Sequence, residues 1–292
     1  IYDGDGTKLK YTFTTAPTGN ATILGYNLSR DNKSTWDATL LPLTYDATTL
    51  TYTVVLSGFV SSTTASGLCL RAVNAAGTSL SSTGQKSGTT VAAAPSIASV
   101  TSTSATSVSV AITAPVVGGG AVNTNYEYSL DGGTTWIARS PAAITTPLAI
   151  AGLTANTAYS LRLRAVNAGG KGEASSTTAF TTVPAAPTSF SATGVAGDPT
   201  KLSVAFTKPS GTITSYQYST DGGTNWTTAS ETTSPLVITG LTANTTYSNL
   251  KLRAVAAGGN GDATTAFAGL LIMPVVADFL QRAFAIHLLL QA

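Results

Sequence analysis

The stretch Tyr126-Glu-Tyr-Ser-Leu-Asp131-Gly-Gly-Thr-Thr-Trp136 returns almost unchanged as Tyr216-Gln-Tyr-Ser-Thr-Asp221-Gly-Gly-Thr-Asn-Trp226. A more divergent copy is Tyr26-Asn-Leu-Ser-Arg-Asp31-Asn-Lys-Ser-Thr-Trp36. In each copy a tyrosine and a tryptophan lie ten residues apart, with an aspartate midway between them. A repeat this detailed predicts that one structural unit occurs three times in the chain.

A second repeated motif, Leu-Arg-Ala-Val, fixes the period of the repeat. Its arginines are Arg71, Arg164 and Arg253, which are 93 (164 − 71) and 89 (253 − 164) residues apart. A period near 90 residues is the size of a domain and too long for the repeats of a solenoid, which are about 20–50 residues. The chain of 292 residues is therefore expected to hold three domains.

Within each period the pattern is that of β-strands. Val108-Ser-Val-Ala-Ile112 alternates apolar and polar residues, as a half-buried strand does. Asp131-Gly-Gly separates two such runs, where glycine supplies the positive φ of a tight turn. Across residues 159–166 the alternation places Leu161 and Leu163 toward a core and the intervening arginines outward.

These motifs resemble those of fibronectin type III domains, of the kind found in tandem in bacterial and viral surface proteins. The resemblance implies an all-β chain of three tandem immunoglobulin-like sandwiches, followed by a short apolar C-terminal helix or an extended tail. It also assigns Tyr159 and Tyr247 to a tyrosine corner, in which the hydroxyl bonds back to nearby backbone. Ser66 stands at this position in the first repeat, so we expect the first domain to be the less stable one.

Two proline-marked segments, Val91-Ala-Ala-Ala-Pro95 and Val183-Pro-Ala-Ala-Pro187, mark the boundaries between the repeats. Both are short, which predicts a semi-rigid row of domains. The predicted domains are residues 1–92, which lack most of a first strand, residues 93–184, residues 185–268, and an apolar tail at 269–292.

The composition excludes several functions. Charged residues make up 10% of the chain and the net charge is +2 without a basic cluster, which argues against nucleic-acid binding. Cys69 and His287 are the only residues of their types, so multi-cysteine metal sites and Ser-His-Asp catalysis lack parts. The sequence shows no group of residues that could act together as a catalytic acid and base or as an activated nucleophile. We therefore expect neither an enzyme nor a cofactor or metal site.

The aromatic and cysteine residues have structural and functional interpretations. Trp36, Trp136 and Trp226 recur at one position after a turn, which favours packing beside a strand; a row of sugar-binding rings is the alternative. Cys69 aligns with the outward-facing Arg162, so it is expected either to cross-link chains or to remain a partly covered, inert thiol.

Five asparagines match the N-glycosylation pattern Asn-x-Ser/Thr and would carry glycans if the source glycosylates its surface proteins. They are Asn20, Asn27, Asn32, Asn225 and Asn244.

The start of the chain aligns with a loop of the third repeat. Asp5-Gly-Thr-Lys-Leu9 matches Asp198-Pro-Thr-Lys-Leu202, and this match explains the acidic start better than a calcium loop does. The third repeat has a strand before this loop, whereas the first has only residues 1–4. Either the chain is truncated or processed, or a strand from another subunit completes the sheet.

The tail departs from the repeat. From residue 270 its composition shifts to Leu, Phe, Ala and Ile, and its period shifts toward that of a helix. Charged residues interrupt it, so a membrane span is not expected. A docking or oligomerisation helix, a membrane-surface anchor and an out-of-frame or cloning-derived end remain open. The candidate assembly residues are Phe279, Leu280, Phe284 and Ile286.

The sequence therefore predicts a non-catalytic structural or adhesion protein at the cell surface or outside the cell. In this interpretation it is a rod-like spacer, or a component of a filament or surface layer, that assembles with other protein subunits through its ends. One alternative is a viral or phage capsid, fibre or tail accessory protein on the virion surface. Another is a carbohydrate-binding fragment of a larger secreted enzyme, which would make glycans its partners.

Overall fold

The computed structural model describes residues 4–14, 22–82, 84–119, 121–267 and 269–272. Within these ranges the chain forms 24 strands and no α-helix, which confirms the predicted all-β class. The strands are rich in valine, threonine, isoleucine and tyrosine, whose branched or aromatic side chains pack well on a pleated surface. Among these residues no helix is long and apolar enough to cross a membrane. The predicted tail helix lies outside the described residues.

The first predicted domain contains two antiparallel sheets, ordered β1-β4-β3 and β2-β5-β6, with β7 also paired to β5. Buried residues of both sheets meet in one core, among them Leu9, Leu28 and Val54. The strands are β1 (Leu9–Phe13), β2 (Ile23–Ser29), β3 (Leu43–Asp46), β4 (Thr51–Leu56), β5 (Thr64–Asn74), β6 (Gly77–Thr78) and β7 (Lys86–Thr89).

The second predicted domain has strands β8 (Ser96–Ser104), β9 (Ser107–Thr113), β10 (Asn123–Ser129), β11 (Ile137–Ala138), β12 (Leu148–Ala151), β13 (Ala158–Asn167), β14 (Gly170–Ala174) and β15 (Thr178–Thr181). They are ordered β12-β9-β8 and β11-β10-β13-β14, with β15 paired to β13. Along β13, Leu161 and Leu163 are fully buried and Arg162 and Arg164 are half-buried. The alternation read from the sequence therefore holds.

The third predicted domain has strands β16 (Thr188–Val195), β17 (Asp198–Thr207), β18 (Ser215–Ser219), β19 (Thr227–Thr228), β20 (Leu236–Ile238), β21 (Thr246–Tyr247), β22 (Lys251–Ala256), β23 (Gly259–Ala263) and β24 (Leu270–Leu271). The sheets are ordered β16-β17-β20 and β19-β18-β22-β23, and β21 pairs with β24. Their buried faces share one core that includes Leu202, Tyr216 and Leu252.

An extra residue interrupts one strand of the third domain. Strand β13 is continuous, whereas its counterpart is divided into β21 and β22 by residues 248–250. The third repeat carries one residue more than the second at Ser248-Asn249, and one inserted residue reverses the side-chain register of a strand. The structure resolves the conflict by ending the strand, and Tyr247 pairs with Leu270 of β24.

The contacts within the chain divide it into two compact units. The first comprises residues 1–99, 111–148 and 160–178, and the second comprises residues 100–110, 149–159 and 179–292. The boundaries at residues 92, 184 and 268 remain predictions from the repeat.

Candidate functional site

The aspartate of each repeated turn organises the turn around it. Asp131 accepts hydrogen bonds from Ser129 Oγ (2.7 Å), from the backbone N–H of Thr135 (2.9 Å) and from the Thr135 hydroxyl (2.6 Å). Gly132 and Gly133 adopt φ of +75° and +105°, as the sequence predicted for this turn. The bonds from Thr135 and Ser129 lower the pKa of Asp131. This carboxylate is therefore an acceptor used to build the turn.

The other two turns repeat this arrangement. Asp221 accepts hydrogen bonds from Ser219 Oγ (2.7 Å) and from the backbone N–H and side-chain amide of Asn225 (3.0 and 2.7 Å). Asp31 accepts them from the N–H and hydroxyl of Thr35 (2.8 and 2.6 Å). The Thr35 hydroxyl and N–H lower the pKa of Asp31 to about 2. In each of the three turns the aspartate thus accepts hydrogen bonds from residues of its own turn.

Each repeated tryptophan lies half-buried beneath the arginine of the Leu-Arg-Ala-Val motif. The guanidinium carbon lies 4.4 Å from the ring centroid in Arg71–Trp36, 4.2 Å in Arg164–Trp136 and 4.0 Å in Arg253–Trp226. Such a contact contributes about 0.5–1 kcal/mol at an exposed site. The arginine also covers one face of the ring, and a sugar that stacked on that face would have to displace the arginine.

The sequence reading named the tryptophans but missed their arginine partners. Trp136 is fixed further because its Nε1–H donates to Gly133 O at 3.0 Å, and Arg164 pairs with Glu127, with Nε and Oε2 2.8 Å apart. The available signal was that both residues recur in every repeat, although the arginine follows the tryptophan by 35 (71 − 36), 28 (164 − 136) and 27 (253 − 226) residues.

The two tyrosine corners have the geometry that the resemblance implies. The Tyr159 hydroxyl accepts a hydrogen bond from the backbone N–H of Thr154 at 2.9 Å. The Tyr247 hydroxyl accepts one from Thr242 at the same distance. Ser66 is exposed at the corresponding place in the first domain.

The structure covers Cys69 more completely than the sequence predicted, which favours the inert thiol over a cross-link. The side chain is 1% exposed and free. Arg162 at the equivalent place is half-buried and must keep a charge hydrated, whereas a thiol behaves as a small hydrophobic group that can be enclosed. Cross-linking through Cys69 would require local opening of the fold.

The glycosylation prediction is wrong for Asn27. This residue lies within β2, is 7% exposed, and its Nδ2 donates to Asp37 O at 2.9 Å. Asn32, Asn225 and Asn244 are exposed, so they remain candidate sites. Asn20 lies outside the described residues.

The aligned segments at Asp5 and Asp198 share the same set of side-chain contacts. Each aspartate accepts hydrogen bonds from the N–H and hydroxyl of the threonine two residues later, and each forms an ion pair with the lysine three residues later, at 2.8 and 2.9 Å. The pKa of Asp5 falls to about 2, mainly through Lys8 and Thr7, and that of Asp198 falls to about 2, mainly through Thr200 and Lys201. The repeat therefore explains this acidic loop.

Two carboxylates that the sequence did not single out connect successive predicted domains. Glu173 Oε1 accepts from the backbone N–H of Gly6 at 2.8 Å, and Asp262 Oδ2 accepts from that of Ala105 at 3.0 Å. Gly6 and Ala105 hold the same place in the repeat, three residues before Leu9 of β1 and Val108 of β9. Glu173 and Asp262 each follow the motif arginine by nine residues (173 − 164 and 262 − 253), which was the available signal.

The backbone of the same two residues binds the segment between domains. Glu173 N–H donates to Ala92 O at 2.9 Å, and Asp262 N–H donates to Pro184 O at 3.0 Å. The same pair of contacts therefore occurs between the first and second predicted domains and between the second and third.

Within the described part of the chain, no group of three or more His, Cys, Asp or Glu residues could hold a metal ion. The acidic residues of the repeated motifs are used in turns, in loops and between domains. The sites with a recurring structure are therefore interaction sites within the chain.

Residues 93–181 match the family model described as "Fibronectin type III domain". The search of curated proteins found no match. A matching solved structure is that of the FN1–FN3 domains of chicken CNTN1, with 15% identity, a TM-score of 0.31, and coverage of 94% of this chain and 97% of that chain. The family inference rests on the model match and on the internal repeat.

Proposed function

We propose that this chain, which contains fibronectin type III-like domains, is a non-catalytic structural or adhesion protein outside the cell or on its surface. It acts as a spacer, and it joins a filament or surface layer through its ends. The observation that carries this proposal is the repeated contact of Glu173 with Gly6 and of Asp262 with Ala105. A protein that spans a distance needs such fixed connections between its domains.

The engagement of the polar groups supports the same proposal. A catalytic acid or base needs to reach a substrate, yet Asp31, Asp131 and Asp221 each accept several hydrogen bonds from their own turns. Fibronectin type III domains are generally non-catalytic scaffold modules and are commonly found outside cells. The partners of this chain are then other protein subunits.

The covered tryptophans favour the structural proposal over sugar binding. In all three domains an arginine occupies one ring face within 4.4 Å of the centroid. The test is binding of the purified chain to a glycan array. If the chain binds glycans and Trp136→Ala abolishes that binding, the carbohydrate alternative is favoured instead.

The proposal is tested by locating the chain in its source. An antibody raised against the purified protein is applied with gold labelling to intact cells or particles and, as a control, to lysed ones. We expect dense label on the intact surface. Label that appears only after lysis would overturn the proposal.

A further inference from the structure

The contacts between successive predicted domains each join one donor to one acceptor. The donor is a backbone N–H, of Gly6 in the first domain and of Ala105 in the second, and both residues are buried. The acceptor is the carboxylate of Glu173 in the second domain and of Asp262 in the third, at 2.8 and 3.0 Å. Each domain therefore has a donor place, at the position of Gly6, and an acceptor place, at the position of Glu173.

The third domain has no N–H at its donor place. Asp198-Pro199-Thr200 aligns with Asp5-Gly6-Thr7, so Pro199 stands where Gly6 does. Proline has no backbone N–H. Pro199 is half-buried, whereas Gly6 and its counterpart in the second domain are buried. A carboxylate brought to Pro199 would find no backbone donor there.

The first domain has no carboxylate at its acceptor place. Leu80 follows Arg71 by nine residues (80 − 71), the same interval that separates Glu173 and Asp262 from the arginines of their own repeats. Leu80 is 95% exposed. A backbone N–H brought to this side chain would find no acceptor, whereas an apolar group would be covered by it.

The hairpin that carries Leu80 has the register of its counterpart in the second domain. Two residues before Leu80, Thr78 pairs with Val73 of β5, and the residue two before Glu173 pairs in the same way with β13. Two residues after Leu80, the N–H of Ser82 donates back to β5 at 2.8 Å, and the matching bond to β13 is 2.7 Å. Leu80 therefore occupies the structural position of Glu173 as well as its position in the repeat.

The donor and acceptor places fit together in one further way. Both N–H groups are already paired with the two carboxylates within the chain. Pro199 against a carboxylate would bury a charge without its donor, and Leu80 against a backbone N–H would bury a donor without its acceptor, both of which are costly. Pro199 against Leu80 leaves no polar group unpaired.

The face of the third domain that carries Pro199 also carries a side-chain donor. In the second domain, Asn156 Nδ2 donates to the backbone carbonyls of Ser210 and Thr212 in the third domain, at 3.3 and 3.2 Å. Asn244 holds the same place in the third domain, with φ of +57° against +50° for Asn156, and it is exposed. Its amide can therefore serve the backbone carbonyls of a docking domain, and a glycan on Asn244 would prevent this docking.

We propose that the Leu80 face of the first domain docks onto the Pro199 face of the third domain in a second copy of the chain. The inference rests on the proposed function, because it specifies how the ends assemble. Covering Leu80 removes apolar surface from water, which favours the complex. Since a carboxylate or an N–H on either face would be left unpaired, the apolar pair also keeps the joint between copies distinct from the joints within a chain.

The test exchanges the apolar pair for the polar one in the full-length chain, measured by size exclusion with light scattering. Leu80→Asp places a carboxylate opposite Pro199, which has no donor for it. Pro199→Ala supplies the N–H, so the variant with both changes reproduces Asp262 opposite Ala105. Leu50→Asp is the control for an added charge, because Leu50 is another exposed leucine of the first domain, at 63%.

We expect the wild type and Leu50→Asp to exceed the chain mass of 29.4 kDa, and Leu80→Asp to be monomeric. The variant with both Leu80→Asp and Pro199→Ala should exceed that mass again, because its carboxylate now meets a donor. A general effect of Leu80→Asp on the fold would not be reversed by a change in the third domain. If Pro199→Ala does not fold, Pro199→Gly takes its place, since it reproduces the sequence at Gly6.

Assembly that persists in Leu80→Asp would overturn the inference and leave the proposed function standing. Assembly that is lost in Leu80→Asp and does not return with the second change would overturn the pairing of Leu80 with Pro199, and hence the inference as well. A wild type that is monomeric at every concentration would overturn both the inference and the assembly of the chain through its ends.

Discussion

Removing the Asp262 carboxylate should release the loop of the preceding domain that it contacts. The Ala105 N–H donates to Asp262 Oδ2 at 3.0 Å, and Ala105 is 2% exposed. A buried donor left without its acceptor costs about 1–3 kcal/mol. Since 1.4 kcal/mol is a factor of ten, Asp262→Ala should speed hydrogen exchange of the Ala105 amide by roughly 5- to 150-fold.

Amide exchange measured by NMR, residue by residue, reads this effect directly. Asp262→Asn keeps an acceptor oxygen at the site and should lose less protection. Leu80→Ala, at the equivalent position of the first domain, should leave Ala105 unchanged. Glu173→Ala should free the Gly6 amide in the same way. If Ala105 exchanges in Asp262→Ala as it does in the wild type, the carboxylate does not connect the domains.

Three further results are expected. Tyr159→Phe and Tyr247→Phe should each lower the free energy of unfolding by about 0.5–1.5 kcal/mol in urea titrations, because the corner hydrogen bond is lost; no change in either would contradict the corner assignment. Cys69 should react with a thiol reagent only when the protein is unfolded, since it is buried; rapid labelling of the native chain would show that it is accessible. Carboxylates such as Asp5, whose folded pKa is lowered to about 2 from 3.8, contribute stability that is fully present above the unfolded pKa and lost as pH falls through the folded pKa. The melting temperature should therefore drop between about pH 4 and pH 2, and a flat profile there would contradict the loop geometry.

The repeat made most of the fold predictable. The Tyr-x-Tyr strand, the Asp-Gly-Gly turn and the alternating Leu-Arg-Ala-Val strand each carry a local signal, so strand positions and inward faces followed from periodicity. The loop at Asp5 could be predicted because the third domain contains the same Asp-x-Thr-Lys-Leu sequence, beginning at Asp198. A single domain would not have revealed the nature of this loop, whereas aligning the copies did.

Prediction from the sequence was wrong or incomplete where a side chain's burial or contacts depend on residues that are distant in the chain. Asn27 matches a glycosylation motif, but its position within β2 encloses it. Cys69 aligns with an arginine, yet alignment gives the direction of a side chain and not what covers it. Glu173 and Asp262 contact loops 167 and 157 residues away in the chain, which no local pattern reveals. Sites between domains were therefore the part that required the structure.

The molar mass of the full chain, measured by sedimentation over a wide range of concentrations, tests most directly whether this protein assembles through its ends. The account predicts that the mass rises with concentration from 29.4 kDa to successive multiples of that value, as expected for head-to-tail joining. A mass that stays at 29.4 kDa at every concentration would contradict it.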